Sequence, residues 1–290
     1  MVRTNKDQLV EMAVWGEAWP AALRSPYRPN AQGESVVFMG TAGVILNVRV
    51  GDPAFGWAAD HVEPGVSIRN REDGPEHALH YLACIGNEAI VVSGEAAGAK
   101  GVVTGEHAHI MVDFEPEVME KIAIGDRIQI RAIGMGLELL DYPDILVRKI
   151  SPQLLEAMRI EEIGNGRIRV PVAAVIPPYL MGSGSELGAD YVDQDFMTND
   201  RETLAQLGLD TLRIGDIVAI QDHDHTYNRG YREGAVTIGL INHADSYMTG
   251  HGPGVMDILC CATDKIEYYV DTENRPNLAA YLGIGNKTLA

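Results

Sequence analysis

The sequence predicts an α+β, β-rich fold with two mixed β-barrel or sandwich-like subdomains and short flanking helices. One observation is the placement of turn-forming residues, since 31 glycines and 14 prolines separate short β-branched runs. This pattern is typical of short strands joined by tight turns. Another is a weak repeat, because residues 124–130 and 214–220 both begin Ile-Gly-Asp and end in Ile. Each copy follows a predicted helix and opens a predicted strand. Convergent turn chemistry and an ancient duplication both account for the repeat, and either predicts subdomains at 1–150 and 151–290.

Elements of the first half follow from apolar spacing and turn residues. Apolar side chains at near-helical spacing predict an N-terminal helix over residues 5–23. A hairpin is predicted next, with strands at 35–39 and 43–50, followed by a long loop rich in Gly, Pro and Asp. The other predicted elements are helices at 73–84 and 115–123 and strands at 88–93, 109–113 and 127–133.

In the second half, Ser151 followed by Pro152 predicts an N-cap and the first helical position, opening a helix that runs to about Arg159. Asn199, three residues before Glu202, resembles a capping box and predicts a helix over 201–207. The remaining predictions are strands at 167–176, 216–221, 235–242, 255–262 and 266–270 and a short helix at 277–282.

The charge balance argues against partners that are themselves acidic. Subtracting 41 Asp and Glu from 23 Lys and Arg gives a formal charge of −18. Such a surface repels phosphate backbones and anionic headgroups, and the sequence offers no compensating basic patch. We therefore expect no nucleic-acid or membrane-surface role.

Targeting and redox features predict a cytoplasmic protein. The apolar runs are much shorter than the roughly 20 residues that a membrane helix needs, and the N-terminus lacks the pattern of a secretory signal. The three cysteines offer neither a disulfide framework nor a thiolate zinc site. An acidic, Gly-rich and β-rich chain of this size is also expected to form a homo-oligomer.

Histidines carry the main functional signal. His223 and His225 form a His-x-His pair after an apolar strand, and residues i and i+2 of a strand project from one face. Imidazoles and carboxylates are the usual ligands of zinc or manganese where no thiolate is present. We therefore predict that His223 and His225, with Asp222 and Asp224, hold a divalent metal ion. His107 and His109 form a second such pair, which could join the first if the subdomains face each other.

Residues downstream of this pair suit a small-molecule site. Arg229 and Tyr231 are predicted to bind substrate, because a guanidinium holds planar anions and lies here on a Gly-flanked loop. Glu233 is a predicted proton carrier. A salt-bridged hairpin tip is the structural alternative for this segment.

Two further loops carry candidate residues. His251 lies among glycines that allow close backbone approach to a ligand, so we predict a catalytic role for His251 and substrate contact at Gly250. His243 ends the preceding predicted strand and is a further catalytic candidate. Asp60 and His61 form an adjacent pair predicted to contact substrate, although both residue types also occur in plain turns.

Nucleotide-binding signatures are absent. The chain has no dinucleotide-binding glycine motif opening a βαβ unit and no phosphate loop ending in Gly-Lys-Ser/Thr, so no nucleotide cofactor is expected.

Several strings resemble a known prokaryotic family. They are Gly-Asp-Pro-Ala-Phe-Gly-Trp-Ala-Ala-Asp-His-Val-Glu-Pro-Gly-Val-Ser at 51–67, Arg-Ile-Gly-Asp-Ile-Val-Ala-Ile-Gln-Asp-His-Asp-His at 213–225, Arg-Gly-Tyr-Arg-Glu-Gly-Ala-Val-Thr-Ile-Gly at 229–239 and Gly-His-Gly-Pro-Gly-Val at 250–255. Over nearly its whole length the chain resembles the domain-of-unknown-function family 4438. The second half also shows a faint similarity to acetamidase/formamidase-like amidohydrolases, although residues 182–195 depart from their pattern and no catalytic residue carries over.

These observations leave three functional hypotheses. We expect a metal-assisted hydrolase acting on a C–N bond of a small amide, imide or lactam-like substrate. The alternatives are a non-catalytic protein that binds a small ligand, and a metal-independent lyase or isomerase that uses histidine as acid and base.

Overall fold

The computed structural model describes residues 2–21, 27–36, 42–185 and 188–286. The β-rich fold is confirmed. Strands of the first half are β1 (Met12–Ala18), β2 (Arg28–Pro29), β3 (Ser35–Val36), β4 (Val44–Ile45), β5 (Gly65–Arg69), β6 (Glu88–Val91), β7 (Lys100–Glu106), β8 (Ile110–Asp113) and β9 (Arg127–Ala132). Strands of the second half are β10 (Leu146–Val147), β11 (Glu161–Gly164), β12 (Arg167–Val172), β13 (Ala174–Ile176), β14 (Gln194–Asp195), β15 (Ile217–Asp224), β16 (Gly230–Ile241), β17 (Gly254–Cys261) and β18 (Ile266–Val270).

Short helices flank these sheets. The α-helices are α1 (Asp73–Leu82), α2 (Pro116–Met119), α3 (Pro152–Ala157), α4 (Arg201–Leu207) and α5 (Leu278–Leu282), with 3₁₀ turns at Lys6–Gln8, Pro178–Leu180 and Leu209–Thr211. Ser151 caps α3 as predicted, since its Oγ accepts from the Leu154 amide at 3.1 Å. None of the helices in the described ranges is long and apolar enough to cross a membrane.

Six strands of the first half form a closed barrel in the order β1-β9-β6-β7-β8-β5. Strand β1 closes the ring by pairing antiparallel with β5, at Glu17↔Arg69 and Ala18↔Ile68. Strand β4 extends the barrel from β5. Loops after β7 and before β5 leave this barrel towards the second half of the chain.

The second half is built on a sheet in the order β10-β17-β16-β15-β13, with β14 also paired to β17. A smaller sheet has the order β11-β12-β18, and β2 pairs with β3. One apolar core fills the barrel, and a larger one covers the second sheet. Val48, Val50, Ala54 and Val62 belong to the larger core although they precede residue 151. The division at 150/151 stays a prediction.

The predicted N-terminal helix over 5–23 is wrong, because residues 12–18 form β1 instead. The burial pattern alternates, so Val14, Gly16 and Ala18 face inward while their neighbours are more exposed. A Cβ at Gly16 would lie 3.0 Å from the Arg69 carbonyl oxygen, which shows how closely the backbones approach where the barrel closes.

Two local predictions also change. Residues 37–41, in the predicted hairpin over 35–39 and 43–50, lie outside the described residues; the described parts pair elsewhere, β3 with β2 and β4 with β5. The N-cap of α4 is Asp200, not Asn199, because Asp200 Oδ1 accepts from the Thr203 amide at 3.0 Å. The helix bounds themselves are as predicted.

Candidate metal centre

A cluster of imidazoles and carboxylates lies where the barrel meets the second sheet. The barrel side contributes side chains from the loop before β5 and the end of β7, and the second half contributes side chains from β14 and the loops around β16 and β17. We call this group the His/Asp centre; its members are His61, His107, Asp193, Asp195, His243 and His251.

His61, Asp195 and His251 form one half of the centre. His61 Nε2 lies 3.2 Å from Asp195 Oδ2 and 3.0 Å from His251 Nδ1. His251 Nδ1 lies 2.9 Å from the same Asp195 oxygen. Three ligand atoms thus converge within 4.8 Å of one another, close enough to share one ion.

His107, Asp193 and His243 form the other half. His243 Nε2 lies 3.0 Å from Asp193 Oδ2 and 3.3 Å from Asp195 Oδ1. The rings of His107 and His243 are 4.4 Å apart between centroids. Asp195 therefore presents one carboxylate oxygen to each half, which is the arrangement of a bridging ligand.

Three of the imidazoles have their outward nitrogen held by an acceptor. Nδ1 of His61 contacts Asp60 Oδ2 at 2.8 Å, and Nδ1 of His107 contacts Glu63 Oε1 at 2.9 Å. Nδ1 of His243 lies 2.8 Å from the carbonyl oxygen of the next residue. Since these oxygens can only accept, Nδ1 carries the proton in His61 and His107. At His243 the 2.8 Å contact with the carbonyl oxygen is shorter than the 3.3 Å contact with the Gly254 amide and favours the same tautomer. In a neutral ring the Nε2 lone pair is then free, and it points into the centre.

In neutral rings this arrangement would place the Nε2 lone pairs of His61 and His243 against carboxylate oxygens, which is repulsive. Burial alone would lower the pKa of His61, but hydrogen bonds to Asp195 and Asp60 outweigh it and raise the pKa to about 9. Likewise, burial would raise the pKa of Asp195, but the three imidazoles beside it hold that pKa well below its usual range. Among the described residues, Nε2 of His243 has no partner in good hydrogen-bond geometry, although it lies 3.0 Å from Asp193 Oδ2. The centre therefore requires positive charge, which protons or a cation can supply.

One side of the centre is open. The side chains of His107 and His251 are 21% and 23% exposed, whereas those of the other four members are at most 6% exposed. Of the two glycines that flank His251, Gly252 packs against the Phe196 carbonyl oxygen, whereas a Cβ at Gly250 would meet no atom within 4 Å. The exposed side of the centre therefore lies at His107 and His251, and the predicted contact residue Gly250 adjoins it.

A second and separate group contains His223, His225 and Asp257, which we call the His223 cluster. All three side chains are buried. Burial lowers the pKa of His223 and takes that of His225 to about 4, so both rings are neutral. Burial would raise the pKa of Asp257, but Arg229 and the two imidazoles lower it to about 2.

Several predicted residues lie outside both groups. Asp222 and Asp224 bond elsewhere: Asp222 accepts from the Gly234 amide, and Asp224 accepts from the Thr226 amide. The carboxylate beside His223 and His225 is Asp257 of β17. Asp224 alternates with the two histidines along β15 and so lies on the other face, whereas Asp222 lies at a register irregularity between Gln221 and His223 and has a φ of 49°.

Tyr231 and Glu233 are exposed near the start of β16, and Tyr231 is 72% exposed. Glu233 lies ten positions before His243, which is about 30 Å along an extended strand. Arg229 is buried and donates to Asp257 Oδ2 at 2.7 Å and to the Asp193 carbonyl oxygen at 2.9 Å. It therefore braces the segment that carries the aspartates and does not face the opening.

Sequence reasoning missed the two aspartates of the centre. Asp193 and Asp195 form an Asp-x-Asp pair, the same i, i+2 spacing that drew attention to the histidine pairs. This pair lies at the short strand β14, in a segment of the sequence where no strand is predicted. Asp60, predicted as a substrate contact, accepts from His61 Nδ1, from Ser246 Oγ and from the Tyr247 amide, and its substrate contact stays a prediction.

Comparisons with known proteins agree on the family. The model of Domain of unknown function (DUF4438), N-terminal, matches residues 27–156, and that of its C-terminal counterpart matches residues 157–282. The crystal structure of TM1086 is similar to this chain, with 47% sequence identity and a TM-score of 0.92 over 97% of this chain and 99% of that one. No curated protein matches significantly.

Proposed function

Since the chain belongs to the domain-of-unknown-function family DUF4438, we propose its function from the His/Asp centre: a metal-dependent hydrolase with two adjacent cation sites. One observation carries the proposal. Three imidazoles have their Nδ1 atoms held from outside and lie beside the carboxylates of Asp193 and Asp195. Nε2 of His61 is 3.2 Å from Asp195 Oδ2, and Nε2 of His243 is 3.0 Å from Asp193 Oδ2. Outer-sphere acceptors of this kind orient the histidines of metal sites.

The donor set fits divalent cations. Imidazole nitrogens and carboxylate oxygens without thiolates suit zinc, manganese or a similar ion. Each half offers three protein ligands, the number that catalytic zinc sites have while a further position stays open. Asp195 joins the halves because its two oxygens face different imidazoles.

Cations held here would polarise a substrate carbonyl and make water more acidic, which is what hydrolysis of an unreactive bond needs. The chain's own residues prepare that chemistry. Asp60 and Glu63 fix the two imidazoles contributed from the barrel side, and Gly250 borders open space beside the partly exposed His251. We propose the C–N bond of a small amide, imide or lactam as the target.

A metal-independent lyase or isomerase is the second candidate. It is favoured by the raised pKa of His61, because a protonated imidazole can serve as a general acid. Under that mechanism, activity would persist after removal of all divalent ions. A non-catalytic binding protein would bind a small ligand without any turnover that depends on the centre.

The test combines metal content with turnover. Purified protein, stripped with chelator and reloaded with Zn²⁺ or Mn²⁺, is assayed on small amides, imides and lactams, with matching esters and phosphoesters for comparison. We expect Asp195→Asn to lose metal from the His/Asp centre together with activity. Asp224→Asn is the matched control, because this carboxylate lies on the other face of β15 and should leave both unchanged.

Activity that survives complete metal removal would refute the metal role and favour the second candidate. Metal binding without turnover of any substrate class would refute the hydrolase and favour a non-catalytic protein that binds a small ligand. Turnover of esters alone would refute the proposed C–N specificity.

A further inference from the structure

We infer that the His223 cluster is a second, closed metal site, which holds one divalent cation for stability and takes no part in turnover. It differs from the His/Asp centre in having no open side, since His223, His225 and Asp257 are each at most 4% exposed. Their ligand atoms lie within 4.8 Å of one another. Structural zinc sites are closed to solvent ligands, and imidazole and carboxylate donors bind divalent ions where no thiolate is present.

The orientation of His223 is fixed by Thr237. Thr237 Oγ1 donates its only proton to the His223 carbonyl oxygen at 2.9 Å. Its contact with His223 Nδ1, also 2.9 Å, must therefore be a bond that the hydroxyl accepts. Nδ1 carries the proton, so the Nε2 lone pair points into the cluster, as a metal ligand requires.

His225 provides an independent sign that a ligand is needed. Among the described residues, neither of its ring nitrogens has a hydrogen-bond partner, although the side chain is completely buried. Nδ1 lies 3.5 Å from Asp257 Oδ2. A buried imidazole without partners is costly, and a cation between these atoms would remove the cost.

Gln194 can supply a fourth donor. Both terminal atoms of its amide lie near His223 Nε2, at 3.1 Å for Nε2 and 3.3 Å for Oε1. The amide Nε2 donates to Asp257 Oδ1 at 2.8 Å, which sets the orientation of the amide without an ion. A cation between these groups would favour the turned amide, and His223, His225, Asp257 and Gln194 would then give the four-ligand set of a closed site.

Arg229 sets the strength of this site. Its guanidinium bonds Asp257 Oδ2 and three backbone carbonyl groups, which partly disperse its charge. A positive group beside a cation lowers affinity, so we expect this ion to bind more weakly than those of the His/Asp centre.

The position of Gln194 explains what the ion would stabilise. Gln194 lies between Asp193 and Asp195 and faces the opposite side of β14. Fixing Gln194 therefore fixes the backbone that presents both aspartates to the His/Asp centre.

The test is metal stoichiometry in a background with the centre disabled. Full-length Asp195→Asn is equilibrated with Zn²⁺ alone, and bound zinc is measured by mass spectrometry together with the thermal midpoint. We expect the single variant Asp195→Asn to bind one zinc equivalent more than the double variant that also carries His225→Leu. Adding Zn²⁺ should raise the thermal midpoint of the single variant through this site, and the double variant should lack that rise. His77→Leu is the matched control, because His77 is exposed on α1.

Equal zinc content with and without His225→Leu would overturn the inference, whatever happens at the centre. If His225→Leu does not fold, Asp257→Asn replaces it, because the amide keeps the shape of the side chain. Its zinc content would again have to fall by one equivalent. Loss of activity in Asp195→Asn tests the proposed function separately.

Discussion

The Asp60→Asn variant tests the orientation of the His61 imidazole most directly. Asp60 Oδ1 accepts from Ser246 Oγ at 2.7 Å and from the Tyr247 amide at 3.0 Å, while Oδ2 accepts from His61 Nδ1 at 2.8 Å. An asparagine has one acceptor oxygen, which the two donors of the loop will hold. Its NH₂ group then faces His61 Nδ1, and the ring proton must move to Nε2.

The variant thus removes a ligand lone pair without changing the shape of the site. Loss of an outer-sphere partner costs about 10- to 100-fold in metal affinity. Because a tenfold change corresponds to about 1.4 kcal/mol, we expect a loss of roughly 1.4–2.8 kcal/mol. Asp60→Ala removes the acceptor but introduces no donor, so its loss should be smaller.

The assay is competition for Zn²⁺ with a chromophoric chelator, alongside thermal unfolding of the metal-free proteins to show that each variant is folded. Asp224→Asn is the control for the change from carboxylate to amide. Zinc affinity of Asp60→Asn within twofold of the unmodified protein would refute the role of Asp60 in fixing the His61 tautomer. So would weaker zinc binding by Asp60→Ala than by Asp60→Asn when both are equally folded.

Three further outcomes are expected. Gly254→Ala should remove metal from the His243 half of the His/Asp centre, because a Cβ there would overlap the His243 ring, whereas Gly230→Ala meets open space and should bind normally; metal content measures both, and equal content would contradict the geometry. Asp200→Ala should cost about 1 kcal/mol in urea unfolding through loss of the α4 N-cap, whereas a comparable cost in Asn199→Ala would restore the predicted cap. The three cysteine thiols are buried, so the native protein should react slowly with a thiol reagent at pH 8 and the unfolded protein fully; rapid native labelling would contradict that burial.

The sequence predicted the fold class and most strands because glycine, proline and β-branched residues act locally. It failed at β1, where seven residues with alternate burial also fit a helical stripe. What decides between them is the partner strand Arg127–Ala132, which lies more than a hundred residues away. A local window contains no information about that pairing, so barrel closure could not be predicted.

The site was predicted in pieces. His61, His243 and His251 were all selected from their loops, but the sequence assigned them to different roles and put the metal at His223 and His225. The missing information is again a pairing: β14 lies against β17, at Asp195↔Gly254. That contact brings the aspartates to the His251 loop, and neither residue alone indicates it.

The division of the His/Asp centre between distant parts of the chain also has a consequence for biosynthesis. His61 and His107 leave the ribosome well before His251, whose side chain completes the set. At about 5–20 residues per second, the 144 residues from 107 to 251 take roughly 7–29 s to synthesise. Under the proposed function, the nascent barrel cannot complete the cation sites during this delay, so the metal would be acquired by a nearly finished chain. Ion selection would then depend on the coordination geometry of the folded protein and on the ions present after translation.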